Sequence, residues 1–432
     1  MRHAAPMDGT AQGWTRRQAL EGLGATLGAS PAIGLTACAG GGSAEPLRLW
    51  AMSWEGDYAP HLMPAFTAAT GIDVQVQSLP TTASHEKLLI ASAGGALPDV
   101  MMLFNGWVLE FATIGAIAPV PSPALVADIF PGVLAGTRVA GRDYAVPWSV
   151  APQVQFFRRD ILADAGYAAP PLDWAGMRKM GRAIKRRRPD DFVFLMLLNW
   201  PTALINMLSQ SGATLLRDHQ TRGHFQTPEV RETFAFYNAL FADGLAPRAL
   251  STEVQDPIAA FAQGYFAVWP SAPTTLRDLA RRSAEIPADR WGTARIAGPN
   301  GAGRLSGLSA SLCVSAQTRR PAEAWALVRH MTSPASELRF QRLIGNLPAR
   351  MSAWTDPQLA TPILRPFAEQ MRYPAIEPRV IEWERVQQEI QYAAERVVRG
   401  VQTIDAALAT LDDRVDRLLA KRRALVAAGR IA

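Results

Sequence analysis

Cysteine is nearly absent from this chain: Cys38 and Cys313 are the only two in 432 residues. That excludes a disulfide-stapled scaffold, and Cys313, inside the apolar run Leu312-Cys313-Val314, reads as a small buried hydrophobe. Histidine is sparse as well, six scattered residues, and His219 and His224 are spaced so that they do not share a helical face. No zinc site, and no cofactor of any kind, is expected. No Gly-x-Ser-x-Gly nucleophile elbow occurs. There is no internal repeat, and no low-complexity segment beyond Gly40–Ser43. Charge of one sign is barely in excess: 44 Lys+Arg against 38 Asp+Glu, net +6. The basic runs Lys185–Arg188 and Lys421–Arg423 read as solvated helix ends whose cations complement the helix dipole. Lacking interleaved aromatics, they do not make a nucleic-acid surface.

Length and composition fit an ordinary soluble protein: 432 residues, 48% hydrophobic and 19% charged, more than one core usually holds, so two domains are expected. Residues 1–37 read as an export signal. Thr15-Arg16-Arg17-Gln18-Ala19-Leu20 resembles a twin-arginine signal, and the Gly/Ala-rich run Gly22–Thr36, broken by Pro31, is too short to span a membrane. It ends Leu35-Thr36-Ala37-Cys38, which resembles a lipobox. Cleavage there leaves Cys38 as a lipidated N-terminus, with residues 38–46 as a flexible tether, and two or more acyl chains suffice for stable anchoring. Ala37-Cys38-Ala39 also fits ordinary cleavage to a free periplasmic protein; the lipobox match and the tether favour the anchored form. Loss of residues 1–37 removes three Arg, one Asp and one Glu and leaves +5.

The body is organised around Gly94–Val120. A Gly-Gly-Ala-Leu-Pro turn precedes the apolar run Asp99–Phe104, which reads as a buried strand. Polarity changes at Asn105-Gly106-Trp107, and a helical segment follows from Val108 to Ile114, closed by Gly115. Ligands of open α/β sheets bind outside the carboxyl ends of strands, where Asn105 and Trp107 would sit. An amide beside a flat apolar ring suits a sugar, which has a hydroxylated edge and C–H faces. Upstream, Leu47–Met52 and Ile72–Gln77 read as strands alternating with helices His61–Thr70 and Glu86–Ala93. This β-α-β-α-β order predicts a parallel sheet. Downstream, Gln153–Arg158 and Val193–Leu198 read as strands, with Asn199-Trp200-Pro201 at the end of the second. Helices are expected over Thr202–Gln210, over Pro228–Ala242 behind a Thr227 cap, over Trp383–Arg399 and over Thr403–Ala427. Asp173 is positioned to cap the helix that starts at Trp174.

The ordered set of motifs carries a resemblance. Gly94-Gly95-Ala96-Leu97-Pro98-Asp99-Val100, the apolar run, Asn105-x-Trp107 and Glu110-Phe111-Ala112-x-x-Gly115-x-Ile117-Ala118-Pro119 are followed by further pieces in colinear order. These are Gly141-Arg-Asp-Tyr-Ala-Val-Pro147, Asp160–Gly166 with Pro171–Trp174, Gly264–Pro270, Pro299-Asn-Gly301, Pro321–Met331, Gly345–Arg350 and the C-terminal helices. The set is similar to the extracellular solute-binding proteins, family 1, of ABC importers, mostly carbohydrate receptors, over residues 46 to about 420. One departure is Leu308-Ser309-Ala310, where the family usually has Gly-Gly-Trp.

The resemblance implies an α/β, two-lobed periplasmic-binding-protein fold of class II type, each lobe a sheet flanked by helices with a ligand cleft at the hinge. Residues 47–148 and 308–348 would form one lobe, 149–307 and 349–432 the other. It implies an extracytoplasmic receptor, monomeric and not an enzyme, that closes on a di- or oligosaccharide such as trehalose or maltose and delivers it to the transmembrane subunits of an ABC permease. Candidate ligand contacts are Trp54, Glu55, Asp57, Asn105, Trp107, Trp148, Gln153, Asn199, Trp200, Trp269 and Arg350, residues at strand ends and crossovers. Trp50, Trp174 and Trp325 are expected in the core. Two alternatives stand beside this reading. One is a same-fold receptor for a polyamine, glycerophosphate or chelate. The other is an exported glycoside hydrolase using Glu55 and Asp57, although both lie on one short loop whereas flanking a scissile bond requires opposed positions.

Overall fold

The computed structural model describes residues 45–304, 308–375 and 377–430; the export signal, Cys38 and most of the tether lie outside the described residues. In chain order the body begins with β1 (Leu47–Met52), α1 (Ser53–Tyr58), α2 (Met63–Thr70), β2 (Val74–Leu79), α3 (Thr81–Ala93), β3 (Val100–Phe104) and α4 (Asn105–Thr113). β1 pairs in parallel with β2 and with β3, as helical crossovers require. Pro152 and Gln153 alone separate β4 (Val146–Ala151) from β5 (Val154–Arg158), which belongs to another sheet. Helices α5 (Trp174–Arg187), α6 (Thr202–Gln210) and α7 (Pro228–Ala242) precede β6 (Val268–Ser271), α8 (Thr274–Arg281) and β7 (Trp291–Ala294). Then come β8 (Leu308–Val314), α9 (Pro334–Ile344) and β9 (Leu347–Pro348). The C-terminal helices are α10 (Arg365–Met371), α11 (Trp383–Val398), α12 (Ile404–Leu418) and α13 (Ala420–Ala427).

The larger sheet has the order β9-β4-β8-β3-β1-β2, with β8 antiparallel to β3 and β4. The smaller sheet, β6-β5-β7, is antiparallel throughout. Successive side chains of a strand face opposite ways, and β5 uses this to divide two cores. Phe156 joins the core of Leu49, Met101, Trp148 and Leu312, whereas Phe157 joins that of Phe194, Trp383 and Leu411. The chain leaves the larger sheet after Ala151, returns to it at Leu308 and leaves again after Pro348.

Caps and core residues follow from local chemistry. Asp173 accepts from the Gly176 N–H at 2.7 Å, and Thr227 caps the helix whose first residue is Pro228. Trp174 stacks on Phe236, and Cys313 is fully buried. Three readings are corrected. Val193–Leu198 is apolar, extended and buried but is not a strand: only Phe194 bridges to Val268, and neighbouring N–H groups find Leu245 and Ala249 carbonyls instead of a ladder. The C-terminal helix is broken at Leu419 into α12 and α13. Asn105-Gly106-Trp107 is no loop but the first turn of α4, because long-range hydrogen bonds hold Asn105 where its sequence alone signals a turn. Among the described residues no helix is long and apolar enough to cross a membrane, and no group of His, Cys, Asp and Glu is arranged to hold a metal ion.

Candidate sugar-binding site

At the carboxyl end of β1 the backbone turns sharply. Ser53 adopts φ +50°, a left-handed conformation that costs a β-carbon-bearing residue about 1–2 kcal/mol. The turn sends Trp54 outward, 40% exposed, and Glu55 inward, 9% exposed. Gly56 must follow, since a β-carbon there would lie 2.6 Å from both the Ala51 carbonyl oxygen and Ser78 Oγ. Glu55 thereby meets residues from the far side of the sheet: Asn346 Nδ2 donates to its Oε1 at 2.7 Å, and Ser149 Oγ lies 3.5 Å from the same oxygen. Burial raises the Glu55 pKa above the ordinary carboxylate value, and hydrogen bonds from its own backbone, Asn346 and Ser149 offset this only in part. Asn346 Oδ1 is buried and meets no partner among the described residues.

A second lining comes from α8. Its N-terminus packs on Gly345, where a β-carbon would meet Thr274 Cα at 3.3 Å and Arg277 Cβ at 3.8 Å. From there the Arg277 guanidinium lies 3.7 Å from the Trp54 ring centroid, a cation–π contact. Sequence reasoning missed Arg277, Asn346 and Ser149. Arg277 reads as a polar position on an amphipathic helix, and the other two gain meaning only through partners 291 and 94 positions away.

The other candidates are distributed more widely. Asp57 Oδ1 accepts from Ser78 Oγ at 2.6 Å, tying α1 to β2. Asn105 spends its amide on the framework, donating to the Val133 carbonyl at 3.0 Å and accepting from Ser311 Oγ at 2.5 Å. Trp107 is buried, and its Nε1 donates to Glu384 Oε1 of α11 at 2.6 Å. Gln153 accepts from Asn206 Nδ2 at 2.8 Å. Asn199 exchanges hydrogen bonds with Ser251 at 2.7 and 2.8 Å. Trp269 is packed among Phe156, Phe261 and Phe266, while Trp200 stands 54% exposed.

Two candidates are buried within the framework in this structure. Trp148 is 1% exposed and stacks on Phe340 at 4.3 Å, because the β4 strand turns it into the core while Ser149 faces Glu55. Arg350 is buried, and its guanidinium donates to the Thr332 and Leu125 carbonyls while its N–H donates to Glu337 Oε2. It pins the third crossover rather than presenting a free fork. A cavity of about 50 Å³ between α5, α6 and α7, lined by Trp174, Met177, Met196, Met207 and Phe236, includes none of the candidates.

Residues 54–337 match the family described as bacterial extracellular solute-binding protein. The chain belongs to this family. The sugar-binding protein MalE of Xanthomonas citri is 38% identical and superposes with a TM-score of 0.84 over 88% of this chain and 99% of that one. The GacH receptor of Streptomyces glaucescens, solved unliganded and with acarbose, shares the fold at 21% identity and a TM-score of 0.76, over 87% of this chain and 99% of that one. A binding protein of Brucella abortus is 22% identical over 378 residues, 85% of this chain and 90% of its own. The fold is thus that of a two-lobed solute-binding protein. Glu55 and Asn346 meet beside the larger sheet, and Arg277 of α8 reaches the adjacent Trp54 ring.

Proposed function

We propose that this solute-binding protein captures a carbohydrate, a di- or oligosaccharide, by hinge closure and delivers it to an ABC permease. The observation that carries the reading is the polar edge of the larger sheet. There the carboxyl of Glu55 is buried against Asn346 and Ser149, beside the exposed ring of Trp54. Side-chain acceptors beside an exposed ring at a strand end suit the hydroxyl edges and C–H faces of a sugar. The likeness to a sugar-binding protein at 38% identity supports the same class. Residues 47–148 and 308–348 move as one lobe and 149–307 and 349–432 as the other. Only the closed arrangement makes both sets of contacts, so ligand favours it. The protein is monomeric, carries out no chemistry on its cargo, and works outside the cytoplasm, anchored by lipid on Cys38. Mass spectrometry of the mature N-terminus checks the anchor: added lipid mass on Cys38 is expected, and an unmodified start after it refutes the anchor.

Titration calorimetry of residues 39–432 against trehalose, maltose and longer saccharides tests the cargo. Saturable binding with the sugar recovered intact supports the receptor. Recovery of cleaved sugar would make the protein a hydrolase.

A further inference from the structure

Two cavities adjoin beside α5, α6 and α7, and neither is lined by any of the candidate sugar contacts. The inner one, about 50 Å³, is walled by Trp174, Phe236 and the thioethers of Met177, Met196 and Met207. The outer one, about 390 Å³, falls in the size range of small-molecule pockets. Its walls are polar: Glu229 and Glu232 of α7, with Ser211, Asn300 and Arg304. Trp174 and Gln210 line both cavities and so form the threshold between them. Trp174 is stacked on Phe236 with ring centroids 4.7 Å apart. The hairpin of Ala297–Gly298 and Gly301–Ala302 docks at the start of α5, where the Gly298 N–H donates to the Leu172 carbonyl at 3.0 Å. A β-carbon on Gly303 would lie 2.9 Å from Gln210 Cγ and Cδ, so glycine there gives the Gln210 amide its place. The Oε1 of that amide has no partner among the described residues.

We propose that the two cavities form a second binding site, for a small amphiphilic amine whose alkyl end enters the methionine-walled chamber and whose ammonium stays in the outer cavity. The walls of an empty apolar chamber lack contacts on one side, and an alkyl group that enters restores them while leaving water. Methionine, unbranched and with three rotatable bonds, lets the chamber adapt to that group. Glu229 and Glu232, three positions apart on one face of α7, outnumber Arg304 at the outer cavity. A cation is therefore favoured there over an anion. The ammonium has three donors and no acceptor, which suits the two carboxylates and the Gln210 Oε1 once that amide turns toward it. The site is independent of the carbohydrate reading, since it uses other residues and takes another class of ligand.

The test is a nuclear magnetic resonance titration of the chain from residue 39, isotope-labelled at its methionine methyls and assigned with Met177→Leu, Met196→Leu and Met207→Leu. Its probes are the straight-chain amines from propylamine to hexylamine and the carboxylates with the same alkyl groups. The Met177, Met196 and Met207 signals should move together and saturate with the amines. Affinity should rise about fourfold for each added CH₂ until the chamber is full. At low salt each amine should bind about two- to fivefold tighter than its carboxylate, and Glu229→Gln combined with Glu232→Gln should close that gap. Ala203, which also lines the chamber, gives a blocking variant: Ala203→Leu should abolish the shifts. If Ala203→Leu does not fold, the chain-length series and the doubly substituted variant, whose two positions are exposed, decide the question. No shift with any amine, shifts confined to other methionines, affinity that ignores chain length, or a carboxylate that binds as well as its amine overturns the proposal.

Discussion

Trp107 Nε1 donates a 2.6 Å hydrogen bond to Glu384 Oε1, joining residues 277 positions apart: Trp107 packs in one hydrophobic core, and Glu384 follows Trp383 of the other. Trp107 is fixed at the start of α4 by His85 and Phe104 around its ring, and Glu384 opens α11. An acceptor beside one core thus engages a donor from the other. If the bond is made only when the lobes close, it adds to ligand affinity without touching ligand.

Glu384→Ala is accordingly expected to raise the saccharide Kd about tenfold, from the worth of a hydrogen bond to a charged group, about 1.5–3 kcal/mol. The unliganded melting temperature should change little, because the bond lies between cores rather than within one. Calorimetry with a melting curve checks both. A large loss of unliganded stability with unchanged affinity would make the contact part of the static framework.

Gly56→Ala should destabilise the first lobe by about 1–3 kcal/mol, because the added methyl runs into the Ala51 carbonyl, backbone that cannot rotate away. Urea unfolding measures it. A variant as stable as wild type would mean that the turn after β1 relaxes freely, and Glu55 would then be less firmly placed.

Much of this architecture was legible in the chain. Period-two segments such as Leu47–Met52 and caps such as Asp173 and Thr227 announce themselves through neighbours in sequence. The site was only half legible. Glu55 stands out as a carboxylate at a strand end, but Asn346 and Arg277 become site residues through contacts made after folding, and no spacing rule connects them. Trp148 and Arg350 show the converse. Both occupy crossover positions where a ligand contact is plausible by pattern, and strand alternation and backbone carbonyls claim them for the framework. Asn105 shows a related effect: hydrogen bonds to the Val133 carbonyl and from Ser311 place it in the first turn of α4 rather than ahead of the helix.

Glu337 provides a pH signature. Burial, opposed by Arg350 and by backbone N–H groups, raises its pKa well above the 4.5 expected in the unfolded chain. A raised acid favours the folded state fully below about 4.5, and that contribution is lost as pH climbs through the folded-state value. Glu337→Gln removes the ionisation, so its melting temperature relative to wild type should rise with pH above about 4.5. A difference that stays constant between roughly pH 5 and 9 would show that Glu337 is not desolvated as placed.

Cys313 gives a folding probe. Its thiol is fully buried and burial raises its pKa, so a chain starting at Ala39 should resist thiol reagents while native and react once unfolded. Rapid labelling under native conditions would place β8, the strand behind Asn105, among the loosely held parts of the fold.

The most direct measurement is a thermal-shift screen of residues 39–432 against sugars, polyols, polyamines and glycerophosphates, repeated with Asn346→Ala. A ligand that binds only the native state adds about 2.7 kcal/mol at a hundredfold excess over its Kd. The account predicts a rise with a neutral di- or oligosaccharide that Asn346→Ala abolishes or strongly reduces. No rise with any saccharide, and a rise with a charged solute that Asn346→Ala leaves intact, would contradict it.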